Sequence, residues 1–197
     1  MPHTAGWSSS VRRGEAVRAF FQAGRERGVS WWQRLHGYVY ARWPYGYIGA
    51  AIGEKRRLAW RRLLFAPWLA KALFPKRWGE GYHGKVTPTE EAVRLVQIHE
   101  PVDATLPEQV IPFATARDLI LRDPDHLVAL DCPCRLARDN PCLPLDVCLI
   151  VGEPFASFVL SHHPARSRAI TPAEAEEILR AEAERGHVHL TFFKEGM

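Results

Sequence analysis

Apolar residues recur at the spacing of a helix along the first third of the chain. Apolar side chains at positions i, i+3 and i+4 predict a short amphipathic helix over about 14–28. Ser30 can cap a second helix, which ends near Gly37 or runs to Trp43, before Pro44. The stretch 54–74 repeats the helical spacing with arginines on its polar face, which predicts a basic amphipathic helix kinked at Pro67. The first third of the chain is therefore predicted to be helical.

Helical and strand-like spacings alternate in the rest of the chain. Two Thr-Pro-x-Glu sequences, at 87–90 and 171–174, are capping boxes with proline at the first helical position. These boxes begin predicted helices over about 88–97 and 171–185. Apolar spacing and flanking residues predict two more helices, over about 112–122 and 154–162. Short apolar runs predict strands over about 126–131, 147–151 and 188–193. These elements predict a helix-rich α+β fold with a small sheet near a cysteine loop and a basic helical N-terminal region.

The two parts also differ in charge and in aromatic content. Residues 1–80 carry 15 Lys and Arg against 4 Asp and Glu, whereas residues 81–197 carry 11 against 18. All seven tryptophans lie in the first of these parts, and a connector rich in glycine and proline covers 75–88. We therefore predict two domains, a basic, Trp-rich helical region over 1–78 and an acidic domain over 82–197.

No stretch of the sequence is predicted to cross a membrane. The uncharged apolar run 45–53 is far shorter than the roughly 20 residues that a spanning helix needs. The start of the chain lacks the pattern of a secretion signal, and a reducing compartment suits free thiols, so we expect a cytoplasmic protein. The basic helix over 54–74 is either an ordinary surface helix or an interfacial one that contacts an acidic partner or the inner face of an anionic membrane. Nucleic acid is not an expected partner, since no base-reading motif accompanies the charge.

All four cysteines fall within one short stretch of the chain, at Cys132, Cys134, Cys142 and Cys148. Cysteines that only fill a core would be scattered along the sequence. A disulfide between two cysteines spaced C-x-C would be strained. Four thiolates from one loop are the ligand pattern of a metal site. We therefore predict that these four cysteines bind a metal.

The spacing of the cysteines leaves the identity of the metal open. Structural zinc sites use two C-x2-4-C pairs, whereas only the first two cysteines form a short pair here. An iron–sulfur cluster accepts ligands from a loop that wraps it, often with proline beside a ligand, as Pro133 and Pro141 are. Arg135 and Arg138 lie in the same loop, where they would offset the negative charge of a thiolate-bound cluster. The spacing favours an iron–sulfur cluster over zinc, and both over redox-active thiols.

The amino-acid sequence of the loop also resembles that of a known family. Cys-Pro-Cys-Arg from 132, Asn-Pro-Cys-Leu-Pro-Leu-Asp-Val-Cys from 140 and Leu-Ile-Val-Gly-Glu-Pro-Phe from 149 resemble prokaryotic iron–sulfur proteins described as four-iron four-sulfur ferredoxin-type. The likeness extends from about residue 41 to the end, and longer members carry a second cysteine-rich run beyond the position of Met197. The resemblance implies a one-electron carrier with a redox partner protein. It also implies one 4Fe-4S cluster bound by Cys132, Cys134, Cys142 and Cys148.

The histidines are weaker candidates for chemistry. His187 and His189 would share one face of the last predicted strand, a position that suits a metal ligand and also an ordinary sheet surface. His162 and His163 lie at a predicted helix end, where histidine interacts favourably with the helix dipole. The sequence contains no phosphate-binding loop and no spaced pair of carboxylates suited to acid and base catalysis.

We therefore predict an electron-transfer protein rather than an enzyme. A cluster that acts as a Lewis acid would need an open iron site, and four cysteines for four irons argue against one. The alternative is a four-cysteine zinc module that holds the loop folded while the basic half docks on an acidic partner or a membrane surface. That alternative predicts a colourless protein.

Overall fold

The computed structural model describes residues 11–52, 82–99, 102–105 and 118–194. The predicted basic helix over 54–74 lies outside these residues, as does the predicted domain boundary between 78 and 82, which stays a prediction. The helices described are α1 (Arg13–Glu26), α2 (Trp31–Arg42), α3 (Pro44–Ile52), α4 (Thr89–Val96), α5 (Pro133–Leu136), α6 (Phe155–His162) and α7 (Pro172–Glu184). The strands are β1 (Tyr82–Thr87), β2 (Val102–Thr105), β3 (Asp118–Leu130), β4 (Cys148–Glu153), β5 (Ser167–Ile170) and β6 (His189–Lys194). The predicted helix-rich α+β class is confirmed.

Strand β3 is the centre of the larger, antiparallel sheet. Its first residues pair with β2, and its last four residues, 127–130, pair with both β4 and β5. The register with β4 shifts between Arg122 and Leu127, a segment in which Asp123 has a positive φ. Strands β1 and β6 form a separate two-stranded antiparallel sheet. Because β3 and β4 are antiparallel neighbours, the cysteine loop that connects them begins and ends at the same end of the strand pair.

The end of β3 is buried on both faces, and its alternation divides the core into two layers. Leu127 and Ala129 belong to a cluster of aliphatic side chains from α4 and α7, whereas Val128 and Leu130 belong to a second cluster with α6. Successive strand residues point to opposite faces, so these four residues contact helices on both sides of the sheet. The result is a sheet packed between α6 and the pair α4 and α7.

The N-terminal helices contact the rest of the chain through aromatic side chains. Phe20 of α1 is buried against Phe158 and Phe155 of α6, with ring centroids 5.2 and 5.9 Å away. Tyr38 of α2 joins the same cluster, with its ring centroid 5.9 Å from that of Phe158. We call this group the aromatic cluster. None of the described helices is both long enough and apolar enough to cross a membrane.

Two of the three predicted helix N-caps agree with the structure. Ser30 and Thr171 each accept a hydrogen bond from the backbone N–H three residues on and form the capping boxes of α2 and α7. The predicted role of Thr87 differs, because the N-cap position of α4 is Pro88 and Thr87 ends β1, where its hydroxyl lies 2.5 Å from that of Thr191. Gly186 follows α7 with a φ of 80°, in agreement with the predicted stop.

The predicted helix over 112–122 is wrong at residues 118–122, which belong to strand β3. Residues 118–121 pair with Val102–Thr105, so a long-range strand partner overrides the local helical spacing. The part of that prediction over 112–117 lies outside the described residues. Strands β1, β2 and β5 were not predicted from the sequence.

Candidate metal centre

The cysteine loop connects two paired strands. Leu130, the last residue of β3, stands opposite Cys148, the first residue of β4. Cys132 follows two residues after Leu130, so strand register alone brings the first and last cysteines of the loop together. The backbone N–H of Asp131 also donates to the carbonyl of Arg166, at 2.9 Å, which fixes the start of the loop. The predicted strands on either side of the cysteines are thus the elements that position them.

Two contacts close the loop on itself. The backbone N–H of Cys132 donates to the carbonyl of Leu145 at 2.7 Å. The guanidinium of Arg135 donates to the neighbouring carbonyl of Pro144. The first half of the loop, which contains the short helix α5, is therefore tied to two consecutive carbonyls of the second half.

Among the four predicted ligands, Cys132 has two of the others, Cys134 and Cys148, as hydrogen-bond partners. Hydrogen bonds from the thiols of Cys134 and Cys148 lower the pKa of Cys132 far below that of an ordinary thiol, although burial acts in the opposite direction. The backbone N–H groups of Arg135 and Cys134 add to this lowering. The same hydrogen bonds raise the pKa of Cys134 and of Cys148, with burial as the second cause. Among these three cysteines, the hydrogen bonds therefore favour the thiolate at Cys132.

Cys142 lies on the outer side of the loop. It is exposed, like Cys134, whereas Cys132 and Cys148 are half-buried. The next residue, Leu143, leaves 68% of its surface exposed. The structure therefore gives the four cysteines two environments, an inner pair at the strand ends and an outer pair at the surface.

Two tyrosines of the N-terminal helices approach the inner pair. Burial, together with the negative charge of the Cys148 and Cys134 thiols, raises the pKa of Tyr40 to about 12. Tyr45 donates a hydrogen bond from its hydroxyl to the carbonyl of Asp131, at 3.1 Å. Helix α3, which carries Tyr45, packs against α5 of the cysteine loop. Sequence reasoning missed both tyrosines, because nothing in their spacing relates them to cysteines about ninety residues further along the chain.

The two arginines of the loop have different surroundings. Arg138 lies near Cys134, where its charge favours the thiolate and lowers the pKa of that thiol against the larger effects that raise it. Arg135 points to the carboxylate of Glu182, with side-chain exposures of 14% and 6%. Glu182 therefore already neutralises the charge of Arg135. Of the two arginines that we expected to offset cluster charge, Arg138 is the one placed to do so.

The histidine candidates have structural partners. His187 precedes β6, so the prediction that it shares a strand face with His189 is wrong. Its Nδ1 lies 2.8 Å from the carboxylate of Glu182. The buried Nε2 of His189 has no hydrogen-bond partner among the residues that the structure describes. His162 and His163 bond to the backbone carbonyls of Phe158 and Ala41, at 2.9 Å each.

The donor set of the loop consists of sulfur alone. Within the described ranges, no group of three or more His, Cys, Asp and Glu side chains has the arrangement of a metal site. Cys134 and Cys148 each hydrogen-bond to Cys132, and Cys142 is exposed and has no part in these bonds. Thiolates are soft ligands that select zinc and iron–sulfur clusters over hard cations such as Mg²⁺ and Ca²⁺. The type of donor, though not its arrangement in this structure, thus matches both of the groups that the sequence left open.

Comparisons with known proteins place no further constraint on the site. No protein-family model, no curated protein and no solved structure matches the chain.

Proposed function

We propose that this protein binds one iron–sulfur cluster through Cys132, Cys134, Cys142 and Cys148 and acts as a ferredoxin-like one-electron carrier. The observation that carries the proposal is that Cys132 hydrogen-bonds with both Cys134 and Cys148, in a loop closed by strand register. The resemblance of the loop to four-iron four-sulfur ferredoxin-type proteins supports the cluster type.

The residues of this chain would contribute binding and shielding. Cys132 gives up its proton readily because two thiols and two backbone N–H groups stabilise its thiolate. Tyr40 stays neutral because burial and the nearby Cys148 and Cys134 raise its pKa, so it adds no negative charge beside the cluster. Arg138 adds a positive charge beside Cys134. When bound, an iron–sulfur cluster supplies reversible one-electron transfer, and burial and hydrogen bonds to its sulfurs set its potential.

Zinc is the second candidate, and one feature of the geometry favours it. Thiols close enough to hydrogen-bond stand at about the separation of two ligands on one tetrahedral Zn²⁺, roughly 3.8 Å for Zn–S bonds of about 2.3 Å. Thiolates on a four-iron cluster each bind a different iron and stand farther apart. The zinc candidate would be a structural module that keeps the loop between β3 and β4 folded.

The partner under this proposal is a redox protein, with a second contact at the inner face of a membrane. The described N-terminal helices support that contact with arginine-rich surfaces and with two exposed tryptophans, Trp31 and Trp32, whose exposures are 52% and 68%. Tryptophan and arginine are residues that favour anionic membrane interfaces. A cytoplasmic location follows from the same proposal, and nucleic acid is not among the proposed partners.

An anaerobic absorption spectrum of the purified protein tests the proposal, with iron, sulfide and zinc assayed on the same sample. We expect a broad visible band that dithionite bleaches and about four irons per chain. A colourless sample with about one zinc per chain would establish the second candidate instead.

Single substitutions then test the ligands. Cys→Ser at each of the four positions should lower the iron content, with the largest loss at Cys132 and Cys148. Leu143→Ser is the matched control, because Leu143 is in the same loop, next to Cys142, and is largely exposed. Iron content that is unchanged in all four cysteine variants would refute the ligand assignment.

A further inference from the structure

Arg135 connects the two halves of the cysteine loop to a helix outside it. One guanidinium nitrogen donates to the carbonyl of Pro144, in the second half of the loop. The other contacts the carboxylate of Glu182, near the end of α7, and lies 3.1 Å from Nδ1 of His187. A single side chain therefore reaches a loop carbonyl and a fixed anchor at the same time.

The anchor is held by several contacts of its own. Glu182 is buried, with its Oε1 2.9 Å from Nη1 of Arg185 and its Oε2 2.8 Å from Nδ1 of His187. Burial would raise the pKa of Glu182, but the hydrogen bond and charge of Arg135, with those of His187, outweigh it and lower that pKa. Glu182 is thus a negative charge, held in place by Arg185 and His187, with which the guanidinium of Arg135 forms an ion pair.

The two hydrogen bonds across the loop, to the carbonyls of Leu145 and Pro144, restrain different parts of it. The bond from Cys132 N–H to Leu145 lies close to Cys148 and the strand ends, which the sheet already holds together. The contact of Arg135 with Pro144 lies one residue nearer to Cys142, on the outer side of the loop. Cys142 itself is exposed and belongs to no strand or helix, so the nearest fixed side-chain contact to it along the chain is the one at Pro144.

We propose that Arg135 is a positioning residue that restrains the arm of the loop carrying Cys142, so that this cysteine can join the other three thiols on a metal, with Glu182 as its anchor. The inference rests on the proposed set of four thiolate ligands and is independent of which metal they bind. The planar guanidinium offers separate donors in a fixed fork, so it can satisfy the Pro144 carbonyl and the Glu182 carboxylate together. A lysine ammonium in the same place is a single point charge without that fork.

Cobalt(II) is a suitable probe, because its visible d–d absorption depends on how many thiolates bind it and on their geometry. The purified full-length protein is stripped of metal under reducing, anaerobic conditions and titrated with cobalt(II). The Cys142→Ser variant supplies the reference spectrum for a site with three thiolates. We expect Arg135→Gln to give the spectrum of Cys142→Ser and to bind cobalt about 10- to 100-fold more weakly than the wild type, the range found when residues that orient metal ligands are removed.

Two further variants separate positioning from folding. Arg135→Lys can keep an ion pair with Glu182 but lacks the fork, so we expect near wild-type unfolding in urea together with the three-thiolate cobalt spectrum. Arg168→Gln is the matched control, because Arg168 also contacts the loop, at Asp146 over 3.5 Å, but this pair is about half-exposed. It should keep the wild-type spectrum and affinity.

A wild-type cobalt spectrum and affinity in both Arg135 variants would overturn the proposal. A wild-type protein whose own cobalt complex lacks the fourth thiolate would also overturn it, because Cys142 would then not be held with the others. Failure of the proposed iron–sulfur function would be read separately, as absence of iron and sulfide from the purified protein, and would leave the cobalt result intact.

Discussion

The cysteine loop is approached from two sides by groups of different chemistry. On the side of the N-terminal helices the contacts are aromatic, with Tyr40 and Tyr45 next to the inner cysteines and the aromatic cluster behind them. On the side of α7 the contact is ionic, from Arg135 to Glu182. Aromatic packing depends on shape and burial, whereas an ion pair depends on protonation.

The difference indicates separate roles for the two sides. The aromatic side brings large apolar surfaces, and Tyr45 packs against the same apolar cluster as Cys148. The ionic side acts on the outer part of the loop, where Pro144 lies close to Cys142. Changes on the first side should therefore alter how well the site is covered, and changes on the second side should alter how its arms are arranged.

The largest expected effect comes from removing the centre of the aromatic cluster. Phe20→Ala should lower the free energy of unfolding by about 3–5 kcal/mol, the range for truncating a buried phenylalanine. Because Phe20 contacts Phe158 and Phe155 of α6, the loss should fall first on the attachment of α1 and α2. Hydrogen exchange should show amides of α1 and α2 losing protection while those of β3 keep most of theirs.

Leu127→Ala is the matched comparison for that experiment. Leu127 is fully buried in β3 and belongs to the aliphatic cluster. Its truncation should reduce protection in the sheet and in the N-terminal helices alike, because both depend on β3 and α6. Equal loss of protection in all elements for Phe20→Ala would contradict the view that α1 and α2 are attached mainly through the aromatic cluster.

The position of the cysteine loop could be predicted from the sequence, but its long-range contacts could not. The apolar runs on either side of the cysteines are local signals, and they correspond to the end of β3 and to β4. The pairing of Arg135 with Glu182 joins residues 47 positions apart, and no local pattern indicates it. The sequence therefore predicted both arginines as neighbours of a metal, whereas the fold directs one of them elsewhere.

The wrongly predicted helix over 112–122 and the correctly predicted capping box at Thr171 show that local sequence predicts only structure that depends on local contacts. Thr171 caps α7 through atoms three residues away, so the signal and the structure are both local. Residues 118–121 have an apolar spacing that also suits a helix, but strand β2 supplies a hydrogen-bonding partner for their backbone. A short apolar segment does not determine its own structure when a strand partner is present elsewhere in the chain.

The ionic side can be tested by pH. Glu182→Gln should lower the free energy of unfolding at pH 7 by about 3 kcal/mol, the low end of the range for removing one partner of a buried ion pair. The pKa of Glu182 is lowered in the folded protein, so its contribution is present above the unfolded pKa of about 4.3 and is lost as pH falls through the folded pKa. Urea unfolding of the wild type and the variant should therefore converge below about pH 4.3.

A gap between wild type and Glu182→Gln that stays constant down to about pH 3 would contradict this reading, since the ion pair would then contribute nothing through its charge. Arg168→Gln serves again as the control. Its ion pairs with Asp146 and Glu174 are about half-exposed, and such surface pairs contribute only about 0–1 kcal/mol.

The smallest expected effect concerns the hydrogen bond from Tyr45 of α3 to the start of the loop. Tyr45→Phe removes the hydroxyl that donates to the carbonyl of Asp131 and should cost about 1 kcal/mol of stability. Tyr38→Phe is the matched control, since the Tyr38 hydroxyl has no hydrogen bond to any part of the chain that the structure describes. Alkylation of metal-free protein should then be faster at Cys132 and Cys148 in Tyr45→Phe only. Equal rates in both variants would mean that aromatic packing alone, without this hydrogen bond, covers the inner cysteines.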